Sequence, residues 1–98
     1  MPVGHVVTFT FRAGTPPASV AALGAALDEL ASETTTLSYH HGPDMKLRPG
    51  NADYSVTAIF EDEAAFSEYI MSPKHLRIVS ELLQPHLQAR SAVQFFIG

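Results

Sequence analysis

The sequence of 98 residues contains no cysteine. This absence excludes disulfide bonds, catalysis by a thiolate and every zinc site that depends on sulfur ligands. Long hydrophobic runs are also absent, since no apolar stretch approaches the roughly 20 residues that a transmembrane helix needs. Residues 1–5 lack the basic region of a signal peptide. We therefore predict a cytoplasmic protein with no membrane partner.

Positive charge is scarce as well. Six Lys and Arg residues stand against ten Asp and Glu residues, which gives a net charge of −4 with His neutral. Without a run of basic residues the chain lacks the electrostatic pattern of a nucleic-acid binder, so nucleic acid is not an expected partner.

The amino-acid composition of the chain is typical of a globular protein. Hydrophobic residues make up 46% and charged residues 16% of the sequence, which excludes a disordered tail. The length fits one domain over residues 1–98. A single core of this size is only marginally stable alone, so a partner subunit would stabilise it.

Alternating and helical patterns predict six elements in the order strand, helix, strand, strand, helix, strand. Predicted strands cover 3–12, 34–41, 52–60 and 91–97, and predicted helices cover 18–31 and, with a break near residue 72, 62–83. This order predicts an α+β fold of the ferredoxin-like βαββαβ type, a four-stranded antiparallel sheet with helices on one face.

Helices on one side leave the other face of the sheet uncovered. That face is predicted to carry Val6 and Ile59 together with some of Val93, Phe95 and Ile97. Exposing this apolar face to water is unfavourable. Packing it against an identical sheet in a twofold dimer is the simplest way to bury it. We predict a homodimer through the sheet face, a dimeric α/β barrel; the alternative is a half-polar exposed sheet.

The segment from Tyr69 to His75 is the most informative part of the chain. On one unbroken helix, residues six apart are related by a net rotation of about 240°, so Tyr69 and His75 would point to different sides. Pro73 lacks an N–H group and its ring would clash with the Tyr69 carbonyl, while Ser72 is pushed towards extended geometry because it precedes proline. We expect a break there, and the bend can turn the Tyr69 hydroxyl and the His75 imidazole towards one space.

Such a pair has a recognisable chemistry. A neutral imidazole accepts a proton near neutral pH, and a phenol donates a hydrogen bond to charge developing on a carbonyl oxygen. The pair suits enolisation or aldol-type chemistry on an oxo compound, with no metal and no cofactor. In the alternative interpretation Tyr69 only packs its ring in the core and His75 only satisfies a helix N-terminus.

Histidines elsewhere give weaker signals. His5 shares a strand face with apolar residues, so its ring must find a partner or border a cavity unless water reaches it at the sheet edge. His40 and His41 are adjacent in a strand and face opposite sides, so they cannot hold one metal ion together. His86 beside Pro85 looks like a solvated loop residue. No metal site is predicted.

Four parts of the chain together resemble a known family. They are His5-Val6-Val7 with Phe9, Phe11 and Arg12, then Gly42 after the second strand, then Phe60-Glu61-Asp62 with Ala64 and Ala65, and finally Tyr69 with Pro73 and His75. Nearly the whole chain resembles the stress-responsive dimeric α/β-barrel (Dabb) family, which includes olivetolic acid cyclase.

The resemblance implies a ferredoxin-like fold, dimerisation through the sheets and a cavity between sheet and helices. One branch of the family closes linear polyketides by aldol condensation without a cofactor, and by similarity Tyr69 and His75 match its catalytic pair, with His5 on the first strand. The residues that match its cavity lining are Val7, Phe9, Val56, Ala58, Phe66, Ile70 and Ile78. Two positions depart from the pattern: Leu27 replaces a tyrosine, and Gln94 lies in or near the place of a common aspartate.

Two hypotheses follow from different classes of protein. In the first, the chain is a homodimeric Dabb protein whose cavity holds a small apolar or aromatic ligand. In the second, it is a cofactor-free polyketide cyclase or related lyase, with His75 as the base, Tyr69 donating to the oxyanion and His5 positioning the substrate. A cofactor-independent monooxygenase would rest on the shared fold alone.

Overall fold

A computed structural model of the chain describes residues 1–98 and contains four strands and three α-helices. In chain order they are β1 (Val3–Phe11), α1 (Pro17–Glu33), β2 (Ser38–Pro43), β3 (Tyr54–Phe60), α2 (Glu63–Met71), α3 (Pro73–Ile78) and β4 (Leu87–Phe96). A π-helical turn (Val79–Leu83) and a 3₁₀ turn (Gln84–His86) connect α3 to β4.

The four strands form one antiparallel sheet in the order β2-β3-β1-β4. The alternation in β3 shows which face is covered, because Tyr54, Val56, Ala58 and Phe60 are buried while the residues between them are only half-buried. The ferredoxin-like α+β fold predicted from the sequence is confirmed.

Two predicted strand starts were wrong by four residues, whereas the other strand limits differ by no more than two. The last strand begins at Leu87 rather than at residue 91, because pairing with β1 continues through Arg90 and Ala89 to a register shift near Phe11. The second strand begins at Ser38 rather than at residue 34. Thr34 instead caps the end of α1, where its hydroxyl donates to the Leu30 carbonyl at 2.7 Å.

The core lies between the inner face of the sheet and the helices. Leu23, Leu27 and Leu30 of α1 pack over this face, and Phe60 is fully buried. Lys74 of α3 binds Glu29 and Glu33 of α1 at 2.8 and 2.9 Å. These ion pairs link α3 to α1 above the space that the two helices cover.

Asp62 is the N-cap of α2 and directly precedes its first residue, Glu63. Its carboxylate accepts a hydrogen bond from the Ala65 N–H at 2.9 Å, which satisfies one of the free N–H groups of the first turn and complements the helix dipole. The position of Tyr69, two turns further along α2, depends on this start.

Asp62→Ala is therefore expected to lower the free energy of unfolding by about 1 kcal/mol, because the first turn of α2 loses its cap. The neighbouring Glu61→Ala removes the same charge from an exposed position and is the matched control. Urea denaturation of both variants measures the difference, and equal midpoints would contradict the role of the cap.

Candidate functional site

The helix breaks between Tyr69 and His75, and Ser72 is the pivot of the break. Ser72 is extended, with φ −62° and ψ 142°, and Pro73 takes the first position of α3. The Ser72 hydroxyl donates to the Tyr69 carbonyl at 3.0 Å and accepts from the His75 N–H at 3.2 Å. One side chain thus caps the end of α2 and the start of α3 together.

This bend brings the three predicted catalytic residues close together. The ring centroids of Tyr69 and His75 are 4.8 Å apart, and those of His5 and Tyr69 are 6.1 Å apart. All three residues line one cavity of about 220 Å³ between the sheet and the helices. Its remaining wall is mostly apolar, with Leu23 and Leu27 of α1 on the far side.

Five of the seven predicted cavity residues line this cavity: Val7, Phe9, Val56, Ile70 and Ile78.

The other two predicted cavity residues lie elsewhere. Ala58 is buried in the sheet between His5 and Tyr39, which pair with it from the two neighbouring strands. Phe66 packs its ring against His5 at 5.0 Å and lines a separate pocket of about 270 Å³ beside β4. Both residues shape the surroundings of His5 rather than the cavity surface.

His5 is the one buried polar residue, with an exposed fraction of 3%. Gln94 lies opposite it on β4, and its amide nitrogen donates to Nδ1 of His5 at 2.9 Å, so the ring carries its proton on Nε2. Burial lowers the pKa of His5 to about 4, and the charges of His75 and Arg90 act in the same direction. The ring is neutral at pH 7.

His75 has the site's one unsatisfied atom. Its Nδ1 is buried and has no hydrogen-bond partner. Burial lowers the pKa of His75, the Ile70 carbonyl opposes this shift, and the charge of Arg90 adds to it. A neutral ring with an unpaired nitrogen is able to accept a proton or a hydrogen bond at neutral pH.

The Tyr69 hydroxyl does not point into water. It lies 2.8 Å from the hydroxyl of Tyr39 on β2, a partner that the sequence analysis missed. Burial raises the pKa of both phenols, and their mutual hydrogen bond raises that of Tyr39 but lowers that of Tyr69. With Tyr39 as the donor, Tyr69 keeps its own proton free for a ligand.

Arg90 and Gln84 also line the cavity, and the sequence analysis named neither of them. The signal for Arg90 was available: it lies four residues before Gln94, so continuing the alternation of β4 towards Leu87 places both residues on the face that looks at the helices. The predicted strand began one residue too late to include it.

Another polar chain lies outside this cavity. Nε2 of His41 is 2.6 Å from the Asp28 carboxylate, and Nδ1 is 2.6 Å from the Tyr54 hydroxyl. His41 thereby joins α1 to β3, whereas its neighbour His40 is exposed. His86, predicted as a solvated loop residue, is half-buried in the 3₁₀ turn.

No group of three or more His, Asp or Glu side chains is arranged to hold a metal ion. None of the helices combines the length and the apolar character needed to cross a bilayer.

Solved structures with the same fold are numerous. A dimeric ferredoxin-like protein of unknown function from Thermobifida fusca is 30% identical over 99% of this chain and 92% of its own, with a TM-score of 0.91. A Dabb family protein from Mesorhizobium loti is 14% identical over 98% and 96% of the two chains, with a TM-score of 0.80. The hydroxynitrile lyase from Passiflora edulis is 17% identical over 99% and 94%, with a TM-score of 0.84.

No curated protein matches the chain by sequence. The profile of the Stress responsive A/B Barrel Domain (Dabb) family, however, matches residues 3–97. The match covers nearly the whole chain and agrees with the fold, with the 30% identity to the Thermobifida protein and with the first-strand and Tyr69–His75 patterns. The chain belongs to the Dabb family.

Proposed function

We propose that the chain binds a small oxo compound with an apolar or aromatic body in the cavity between sheet and helices. The observation that carries this proposal is the meeting of His5, Tyr69 and His75 at one cavity whose other lining residues are mostly apolar. A few polar groups in an otherwise apolar cavity fix the orientation of a bound ligand. A volume of about 220 Å³ favours a small ligand.

A second candidate is a cofactor-free lyase or polyketide cyclase-like activity, and the neutral His75 beside Tyr69 favours it. His75 would take a proton from the carbon next to the carbonyl and become an imidazolium ion. The carbonyl oxygen then carries the negative charge, and the Tyr69 hydroxyl donates a hydrogen bond to it while His5 positions the substrate.

The enolate formed in this way can take part in two reactions. Attack on a second carbonyl of the same molecule forms a carbon–carbon bond and closes a ring, and the proton held on His75 neutralises the new alkoxide. The reverse sequence cleaves a carbon–carbon bond. A lyase is known on this fold, the hydroxynitrile lyase from Passiflora edulis, although the 17% identity concerns the fold alone.

We further propose a homodimer through the sheet face. Val93 and Phe95 on the outer face are 53% and 49% exposed, an unfavourable arrangement in water. The ring of Phe95 covers Gly4 so closely that an added Cβ atom there would lie 2.8 Å from it, so a side chain at this position would displace the ring. The Thermobifida protein is described as dimeric. Cytoplasmic location and single-domain organisation stay predictions from the sequence.

The dimer predicts that Val93→Glu produces monomers, because an interface through the sheet face would bury one unpaired carboxylate from each subunit. Sedimentation velocity at micromolar concentration measures the change. Ala22→Glu adds the same charge on the exposed side of α1 and is expected to leave the dimer intact. A monomeric wild-type protein would contradict the proposal.

Binding in the cavity is tested with phenylacetone as the probe and the histidine ring signals in NMR spectra as the readout. We expect the signals of His5 and His75 to shift on titration, because both rings line the cavity. His40 is exposed on the edge strand and serves as the internal control. If the signals of His5 and His75 do not move at millimolar probe, or move no more than that of His40, the binding site is wrong.

Catalysis is tested by following deuterium uptake at the carbon next to the phenylacetone carbonyl in D₂O. The wild-type protein is expected to accelerate this exchange over the rate in buffer. His75→Ala should lower the exchange rate roughly a hundredfold, and Tyr69→Phe should lower it roughly tenfold. Because burial lowers the pKa of His75, the rate should be level above neutral pH and fall as pH drops through that pKa. His40→Ala is the matched control. If the wild-type protein exchanges deuterium no faster than buffer alone, the role of His75 as the base is wrong.

A further inference from the structure

Arg90 stands out among the residues around the cavity because it is the one with a permanent positive charge. It lies on β4 opposite Phe9 of β1, and both residues line the cavity. Arg90 also shares a face of β4 with Gln94, which hydrogen-bonds to His5. Its side chain therefore stands at the β4 side of the same hollow that contains the two imidazoles.

No carboxylate of the chain neutralises Arg90. The ion pairs of the chain are formed by Lys74 and His41 with acidic residues of α1, and Arg90 belongs to none of them. Its charge nevertheless reaches the cavity, since it lowers the pKa of both His5 and His75. Arg90 is exposed to solvent and also lines the cavity, so its unpaired guanidinium is accessible to an anionic ligand.

We propose that the ligand of this cavity carries a carboxylate, which binds the guanidinium of Arg90 while its apolar body lies between β1 and α1. This inference rests on the proposed small-molecule binding and names the chemical class of the ligand. The planar guanidinium matches a carboxylate with two parallel hydrogen bonds.

A phosphate group fits the same place poorly. A phosphate dianion is held in proteins by several donors, commonly backbone N–H groups of a Gly-rich loop or a helix terminus. The lining of this cavity contains Arg90 as its one cation and Gln84 as its one amide, and most of the other lining residues are apolar. One guanidinium with one amide suits a single negative charge.

The test compares phenylacetate with phenylacetamide, which has nearly the same shape and no charge. Dissociation constants are measured at pH 7 and low ionic strength from the ring signals of His5 and His75. We expect the wild type to bind the acid about tenfold more tightly than the amide. Arg90→Gln should remove this preference and leave the affinity for the amide within twofold, while Arg90→Lys should retain part of it.

Arg77→Gln is the matched control, because it removes the same charge from an exposed position on α3 outside the cavity. It is expected to keep the preference for the acid. Equal binding of acid and amide by the wild type, or an unchanged preference in Arg90→Gln, would overturn the carboxylate assignment while leaving small-molecule binding in place. Failure of both compounds to bind would overturn the binding function and this inference with it.

Discussion

The arrangement of the site depends on the interruption of one helix by Pro73. A continuous helix would direct Tyr69 and His75 to different sides, but proline removes an N–H group and forces the residue before it into extended geometry. Ser72 makes this interruption stable, since its hydroxyl binds the Tyr69 carbonyl and the His75 N–H at once. Without the Ser72 hydroxyl, the His75 N–H would lose its acceptor, and the Tyr69 carbonyl would keep only the hydrogen bond from the Ser72 N–H.

The electrostatics of the cavity follow from burial. Two imidazoles lie in a hollow that disfavours charge, and Arg90 adds a positive field that keeps both rings neutral. His5 satisfies its Nδ1 with Gln94 and Tyr69 satisfies its hydroxyl with Tyr39, whereas Nδ1 of His75 has no partner. Buried polar groups are normally paired, and Nδ1 of His75 is the exception among the buried side-chain atoms of this chain.

The helices cover only one face of the sheet, and this arrangement produces both the cavity and the exposed sheet face. Helices cover the inner side of β1 and β3 and leave Val93 and Phe95 uncovered on the outer side. The two faces of the sheet therefore differ: residues of the inner face line the cavity, whereas the outer face leaves apolar side chains exposed. Both follow from the βαββαβ order.

Much of this was determined by the sequence alone. Periodicity within each segment predicts the element order, and the Pro73 rule predicts the break, because both depend on covalent geometry and on neighbours close along the chain. The family pattern adds Tyr69, His75 and His5. These are local properties, and reading them requires no knowledge of how segments pack.

Only the tertiary structure decided which residues meet across the fold. Tyr39 reaches Tyr69 because β2 pairs with β3 at the edge of the sheet, and Arg90 faces the cavity because β4 extends four residues further than its pattern indicated. Ala58 and Phe66 match the family's cavity positions, yet they lie beside His5, outside the cavity surface. Contacts of this kind depend on strand order, register and the tilt of helices over the sheet, which are set by packing between segments distant along the chain.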